Sequence, residues 1–214
     1  MKLITLLLVF IATLSFAQVK SDLTHLKVKG TITNITETEY DAKDNSLKGK
    51  TVSKFNADGN EVEFVSYGPD NALLAKSVFD YDDSGRLTDV KRFKPDGSLN
   101  VKTTFKFDES GNKTEEYNYD AGGILFMKAK NKYAMNGNRQ VKDCFNEFGL
   151  LFLKSNYKFD KNGNEIEVKE YDSHHGLKYT TTFTYESYDA KGNWTKRTTY
   201  KNEDPVTITE RTLE

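Results

Sequence analysis

Residues 81–112 read YDDSGRLTDVKRFKPDGSLNVKTTFKFDESGN, and most of the chain repeats this stretch. It holds three turn signals: Asp82-Asp83-Ser84-Gly85, Pro95-Asp96-Gly97 and Asp108-Glu109-Ser110-Gly111-Asn112. Between the turns the residues alternate. Leu99, Val101, Thr103, Phe105 and Phe107 fall on one side, and Asn100, Lys102, Thr104 and Lys106 on the other. Gly and Asn tolerate the positive φ of tight hairpins, Pro presets φ, and a period of two puts alternate side chains on opposite faces of a strand. The stretch therefore predicts β-hairpins with one buried and one wet face.

Outward from this stretch the repeat is quantitative. Gly59, Gly85, Gly111, Gly137 and Gly163 stand 26 residues apart. Leu47, Leu73, Leu99, Leu125, Leu151 and Leu177 keep that step, as do Phe55, Tyr81, Phe107, Tyr133, Phe159 and Tyr185. A further aromatic column is Tyr67, Phe93, Tyr119, Phe145 and Tyr171. The register then slips by three residues near Glu186-Ser187, after which Gly192 and Tyr200 continue the columns. Each unit holds two turns and hence two strands, and such short connections force antiparallel neighbours. The expected fold is all-β: an antiparallel meander of about twelve strands from six two-stranded 26-residue repeats, forming a curled open sheet or half-pipe, with a closed barrel as the alternative. No window holds a helical period over three turns.

The faces carry charge in columns as well. Lys50, Lys76, Lys102, Lys128 and Lys154 recur opposite the Leu and aromatic stripe, and Glu63, Asp89, Glu115 and Glu167 recur on the intervening strands. A stripe of this size left in water exceeds what a soluble monomer exposes, so the sheet must curl over it, pack against another chain or dock a partner.

The N-terminus reads as a processing segment. Lys2 precedes the apolar run Leu3–Leu14, and Ser15-Phe16-Ala17 fits a cleavage site, so residues 1–17 are expected to be a signal peptide and Gln18 the mature start. Residues 18–39 read as lead-in and capping strands, 40–200 as the β array and 201–214 as a capping strand. Glu37 and Glu39 in the first cap, and Pro205 and Glu210 in the last, would discourage pairing at the edges of an open sheet. Export places the protein in the periplasm, at the cell surface or in the secreted fraction. The apolar run is too short to span a bilayer comfortably, so no membrane-spanning segment is expected.

Lys and Arg number 31 and Asp and Glu 32, a balance that argues against nucleic acid as a partner. Cys144 is the only cysteine, so no internal disulfide forms, and the side chain is expected to be small and buried. The three histidines are His25, His174 and His175. They leave no arrangement for nucleophilic catalysis around Cys144, and adjacent histidines diverge on a turn. No catalytic residue, metal ligand or cofactor is predicted.

Tyr81-Asp82, Gly85-Arg86-Leu87 and Pro95-Asp96-Gly97 follow a known consensus position by position. Phe159-Asp160 with Gly163-Asn164, and Tyr188-Asp189 with Gly192-Asn193-Trp194, follow it in part. In these motifs the chain resembles the rearrangement-hotspot family, also called YD-repeat proteins, as a short array without a toxin domain. Large members of that family wind such hairpins into a β-shell around a toxin. The resemblance implies a non-enzymatic binding or structural module of the envelope or secreted fraction, with carbohydrate or cell-surface binding. Tyr67, Phe93, Tyr119, Tyr171 and Trp194 are the candidate binding residues, because rings at fixed spacing suit sugar faces. The same rings would otherwise form the sheet's own ladder. The alternative is a protein-interaction role as a toxin-associated immunity or holding partner, through the hollow of the curled sheet or an edge strand. The expected partner is thus a glycan or another protein at the cell surface.

Overall fold

The computed structural model describes residues 21–214, so the signal-peptide reading of 1–17 lies outside the described residues. A short helix, α1 (Asp22–His25), precedes fourteen strands. They are β1 (Asn34–Asp41), β2 (Leu47–Phe55), β3 (Glu61–Tyr67), β4 (Leu73–Tyr81), β5 (Leu87–Phe93), β6 (Leu99–Phe107) and β7 (Lys113–Asp120). Then follow β8 (Leu125–Tyr133), β9 (Arg139–Asn146), β10 (Leu151–Phe159), β11 (Glu165–Tyr171), β12 (Leu177–Tyr188), β13 (Trp194–Lys201) and β14 (Asp204–Leu213).

Turn chemistry sets this pattern. At Asp108 the backbone N–H donates to the Asn112 carbonyl at 3.1 Å, and the Gly111 N–H returns to the Asp108 carbonyl at 3.1 Å. The Asp108 Oδ1 accepts the N–H groups of Ser110 at 3.0 Å and Asn112 at 2.9 Å. Gly111 takes φ 78°, the left-handed position that closes a three-residue hairpin loop. Asp82, Asp120, Asn146, Asp160, Asp172 and Asp189 hold their turns in the same way. Each such turn leaves one extra residue at the strand start: Lys106 pairs with Glu115, but Phe107 pairs with Lys113. These bulges sharpen the twist and bend the strands.

The bend closes the sheet. Array strands β2–β13 run in sequence order as the repeat predicts, but the expected open half-pipe of about twelve strands is incorrect. β1 and β14 do not cap free edges; they pair with each other from Ile35↔Leu213 to Asp41↔Thr207 and complete a fourteen-stranded barrel. Every sequence-adjacent strand pair carries a register shift, so curvature accumulates around the whole array until its ends meet. Glu37, read as an edge guard, faces Arg211 across the seam as its ion-pair partner at 3.4 Å. The three-residue slip is absorbed by consecutive bulges in β12 between Tyr185 and Tyr188.

Alternation then sorts the side chains. Leu153, Ser155, Tyr157 and Phe159 and their repeat equivalents point into the barrel, whereas the Lys and acidic columns point out. The Leu column, expected on the inner face, instead pairs across a bulge with the outer aromatic column, as Leu73 with Tyr67 and Leu177 with Tyr171, and Leu47, Leu73 and Leu177 are exposed. On the outer wall Glu63 lies between Lys54 at 2.8 Å and Lys76 at 2.5 Å. Glu115 likewise bridges Lys106 and Lys128, and Glu167 pairs with Lys158. Each strand from β2 to β14 turns at least one ionisable side chain outward. A lipid-facing wall would incur about 2–4 kcal/mol for each such Lys at mid-membrane, so this wall is suited to water. Eight strands make a barrel that side chains just fill; fourteen make a wider one that must enclose a lumen.

Candidate functional site

The residues before β1 shape the lumen. All the Gly-Asn turns lie at one end of the barrel, and residues 21–33 cross that end as a strap. Ser21 caps α1, accepting the Thr24 N–H at 3.3 Å. The Leu23 N–H donates to the Gly59 carbonyl at 3.1 Å, on the β2–β3 turn. On the far side, the Asn193 amide clamps the strap from both directions: Oδ1 accepts the Lys29 N–H at 2.7 Å and Nδ2 donates to the Lys29 carbonyl at 3.0 Å. Leu23 and Ile32 bury themselves with Ile35 and Phe55 in a small apolar core at this end.

A charged latch holds the strap down. The Asp22 Oδ2 accepts the Glu61 N–H at 3.1 Å and lies 2.6 Å from the Tyr81 hydroxyl, and Lys113 Nζ stands 3.5 Å from Oδ1. Burial, with repulsion from Asp22 and Glu37, pushes the Glu61 carboxyl up to about 7, against the opposing effects of Ser53 and Lys113. The Tyr81 hydroxyl is likewise driven up by burial and by Asp22.

Beneath the strap lies a cavity of about 370 Å³, roofed by His25 and Leu26. Tyr133, Phe159, Tyr185 and Trp194 form its apolar wall, and Lys113, Arg139 and Glu165 its charged one. The bulges place these groups. Lys113, Arg139, Glu165 and Trp194 each open a strand two residues after the Gly of a Gly-Asn turn, at the doubled position that swings inward. The tyrosines of the neighbouring column fasten them: Tyr133 donates to the Lys113 carbonyl at 3.0 Å, and Tyr185 to the Glu165 carbonyl at 2.8 Å. Burial pushes the Tyr133 hydroxyl up to about 12.

Three guanidinium groups lie against the rings. Arg139 stacks 4.3 Å from the Tyr157 centroid, Arg197 4.9 Å from the Trp194 ring, and Arg211 4.4 Å from that same ring. Arg211 is only 8% exposed, so this stack sits in the interior. Glu165 is raised by burial, while Arg139 and Arg197 pull its carboxyl back down. Deeper in the lumen the charges are satisfied locally. Glu116 accepts from Lys142 at 2.8 Å and from Asn131 at 2.9 Å, and these partners overcome burial to hold its carboxyl below the usual range.

The sequence-predicted rings divide between two places. Tyr67, Phe93, Tyr119 and Tyr171 lie on the outer wall, opposite Lys50, Lys76, Lys102 and Lys154 respectively. All four are half-buried, and Lys50 Nζ sits 5.0 Å over the Tyr67 centroid. Trp194 faces the lumen, with the Tyr185 ring 5.7 Å away. The structure therefore does not bring the five together. The Asp172 carboxylate beside the two adjacent histidines accepts the N–H groups of His174 and Gly176 within its own turn. Cys144 is buried, with its thiol raised by burial. Sequence reasoning missed the column Glu61, Leu87, Lys113, Arg139 and Glu165. Its signal was present: at this position the repeat keeps its spacing and changes its chemistry.

No family model matches the chain, and no curated protein does. Among solved structures, the chain is similar to a porin-like protein from Bacteroides uniformis, at TM-score 0.55 and 11% identity over 86% of this chain and 98% of that one. A LolA superfamily protein from Nitrosomonas europaea aligns at TM-score 0.31 and 10% identity, over 84% and 82% of the two chains. The Photorhabdus luminescens Tc holotoxin pore aligns at TM-score 0.26 and 11% identity, over 75% of this chain and 12% of that one. What the chain shares with the porin-like protein is the fold.

Proposed function

We propose that this chain is an exported, non-enzymatic binding barrel of the envelope or secreted fraction, which holds a small organic molecule in the lumen beneath its strap. The supporting observation is the 370 Å³ cavity, walled by rings and cations and roofed by the strap. Its size falls at the small end of pockets that hold small molecules, about 300–1,000 Å³. The signal-peptide reading supports export, and the charged outer wall supports life in water rather than in lipid. No described helix is long and apolar enough to cross a membrane. Any carbohydrate binding is better served by the lumen rings than by the outer column, whose rings lie beside lysines. The test is intact mass of the protein from its native extracytoplasmic fraction, under native and denaturing conditions. A small-molecule adduct present only under native conditions is expected. A bare chain in both, with no thermal shift on adding back an organic extract of the same cells, would refute the reading.

A second reading, a protein-interaction partner, is favoured by one surface. Ile124, Phe126, Phe148, Leu150 and Phe152 are all exposed around the neighbouring β7–β8 and β9–β10 turns, at the end of the barrel away from the strap. A pull-down from native culture with the unmodified chain and with Phe148→Glu tests it. Capture lost on substitution would favour this reading, and capture of nothing by either chain would count against it.

A further inference from the structure

The lumen holds positive charge that its own acids do not engage in the way they engage the rest. Deep in the barrel Lys142 is hydrogen-bonded to Glu116, and at the strap Lys113 is paired with Asp22. Arg211 has Glu37 at 3.4 Å, in ion-pair range although its Nε makes no hydrogen bond. The buried Nε atoms of Arg139 and Arg197 have no hydrogen-bond partner among the described residues. A guanidinium offers five donors in one plane, and a buried donor left unbonded is costly. Burial raises the Glu165 carboxyl against the pull of Arg139 and Arg197, and Arg139 also helps to lower that of Glu116, yet among the described residues no acid stands in ion-pair contact with Arg139 or Arg197. Beside this donor set stand Tyr133, Phe159, Tyr185 and Trp194, a wall of rings with an apolar face.

Resting on the reading that the lumen holds a small molecule, we propose that the ligand is an anionic amphiphile. Its carboxylate, sulfonate or phosphate group lies against Arg139, and a compact aromatic or alicyclic body lies against Phe159, Tyr185 and Trp194. Planar guanidinium donors recognise such oxyanions in paired fashion, and their rigid fork favours this over a neutral hydroxyl. The cavity is also bounded by Gly137, Asn138, Gly163 and Asn164, which places its portal between the strap and the β8–β9 and β10–β11 turns.

Two fluorescent probes of nearly one shape test this. 1-Anilinonaphthalene-8-sulfonate carries the anion, and N-phenyl-1-naphthylamine lacks it. The folded barrel should bind the sulfonate saturably at one site, at least about tenfold more tightly than the neutral amine. Arg139→Gln should bring the sulfonate down to the affinity of the amine and leave the amine unchanged. Arg139→Lys should recover part of the difference, and Phe159→Ala should weaken both probes. Circular dichroism and a thermal melt of each variant confirm that the barrel is intact. Equal binding of the two probes, with Arg139→Gln changing neither, would overturn the anionic assignment while leaving a lumen that binds small molecules. Failure of both probes to bind the folded protein would overturn the lumen reading itself.

Discussion

Glu61 should make the barrel less stable as pH rises, and replacing it should remove that dependence. Its carboxyl is raised from an ordinary 4.5 to about 7 in the fold, first by burial and then by Asp22 and Glu37. Between those two values the folded chain keeps the Glu61 proton and the unfolded chain has lost it. Stability from this group is therefore fully present below pH 4.5 and falls as pH rises through 7. A shift of that size corresponds to about 3 kcal/mol, reduced somewhat by partial solvent access. Gln is a neutral stand-in of the same shape. Urea unfolding of the wild type and Glu61→Gln should give nearly equal stabilities at pH 4.5, and at pH 8.5 the variant should be the more stable by about 2–3 kcal/mol. A variant that is less stable at pH 8.5, or that keeps the wild-type pH slope, would show that Glu61 is not held neutral beside the latch.

Other consequences follow from the strap and the turns. Asp22→Asn removes the charge that receives the Glu61 N–H, the Tyr81 hydroxyl and Lys113. It should weaken the strap by about 2 kcal/mol and speed hydrogen exchange at the Leu23 amide; unchanged exchange there would refute the latch. His175 occupies, at φ 64°, a left-handed position that most of the other turns give to Gly. His175→Gly should raise stability by about 0.5–1 kcal/mol, the relief of strain less the entropy of Gly, and a fall in melting temperature would show that the histidine makes a compensating contact.

The sequence made the wall legible and hid the room inside it. Columns such as Gly85, Gly111 and Gly137 are local signals, because each glycine answers to a turn within a few residues of it. The inward and outward faces follow from a period of two. Closure is different in kind: it depends on the sum of many small bends, and no single hairpin reports the total. The pairing of Glu37 with Arg211 joins residues at opposite ends of the array, so Glu37 read naturally as a guard of an open edge. The site was hidden for a related reason. The aromatic column with Tyr67 and Phe93 keeps its chemistry from copy to copy, and it lies against the lysine column of the outer wall. The column with Lys113, Arg139 and Glu165 repeats in spacing alone, and the bulge that turns it inward is a property of backbone pairing. Likewise Asn193 reads as a turn residue until the strap lies across it.

Lumen, strap and site all depend on the seam between β1 and β14, and one distance tests it. Thr36 and Thr212 are directly opposed there, Thr212 exposed and Thr36 half-buried. Nitroxide labels at cysteines introduced at these two positions, in a Cys144→Ala background, would be read by electron paramagnetic resonance. The closed barrel puts the labelled backbones on neighbouring strands about 5 Å apart and predicts strong dipolar broadening in nearly all molecules. An open sheet of the same fourteen strands would hold them roughly 60 Å apart, at about 4.8 Å per strand, and narrow, unbroadened spectra would contradict the barrel.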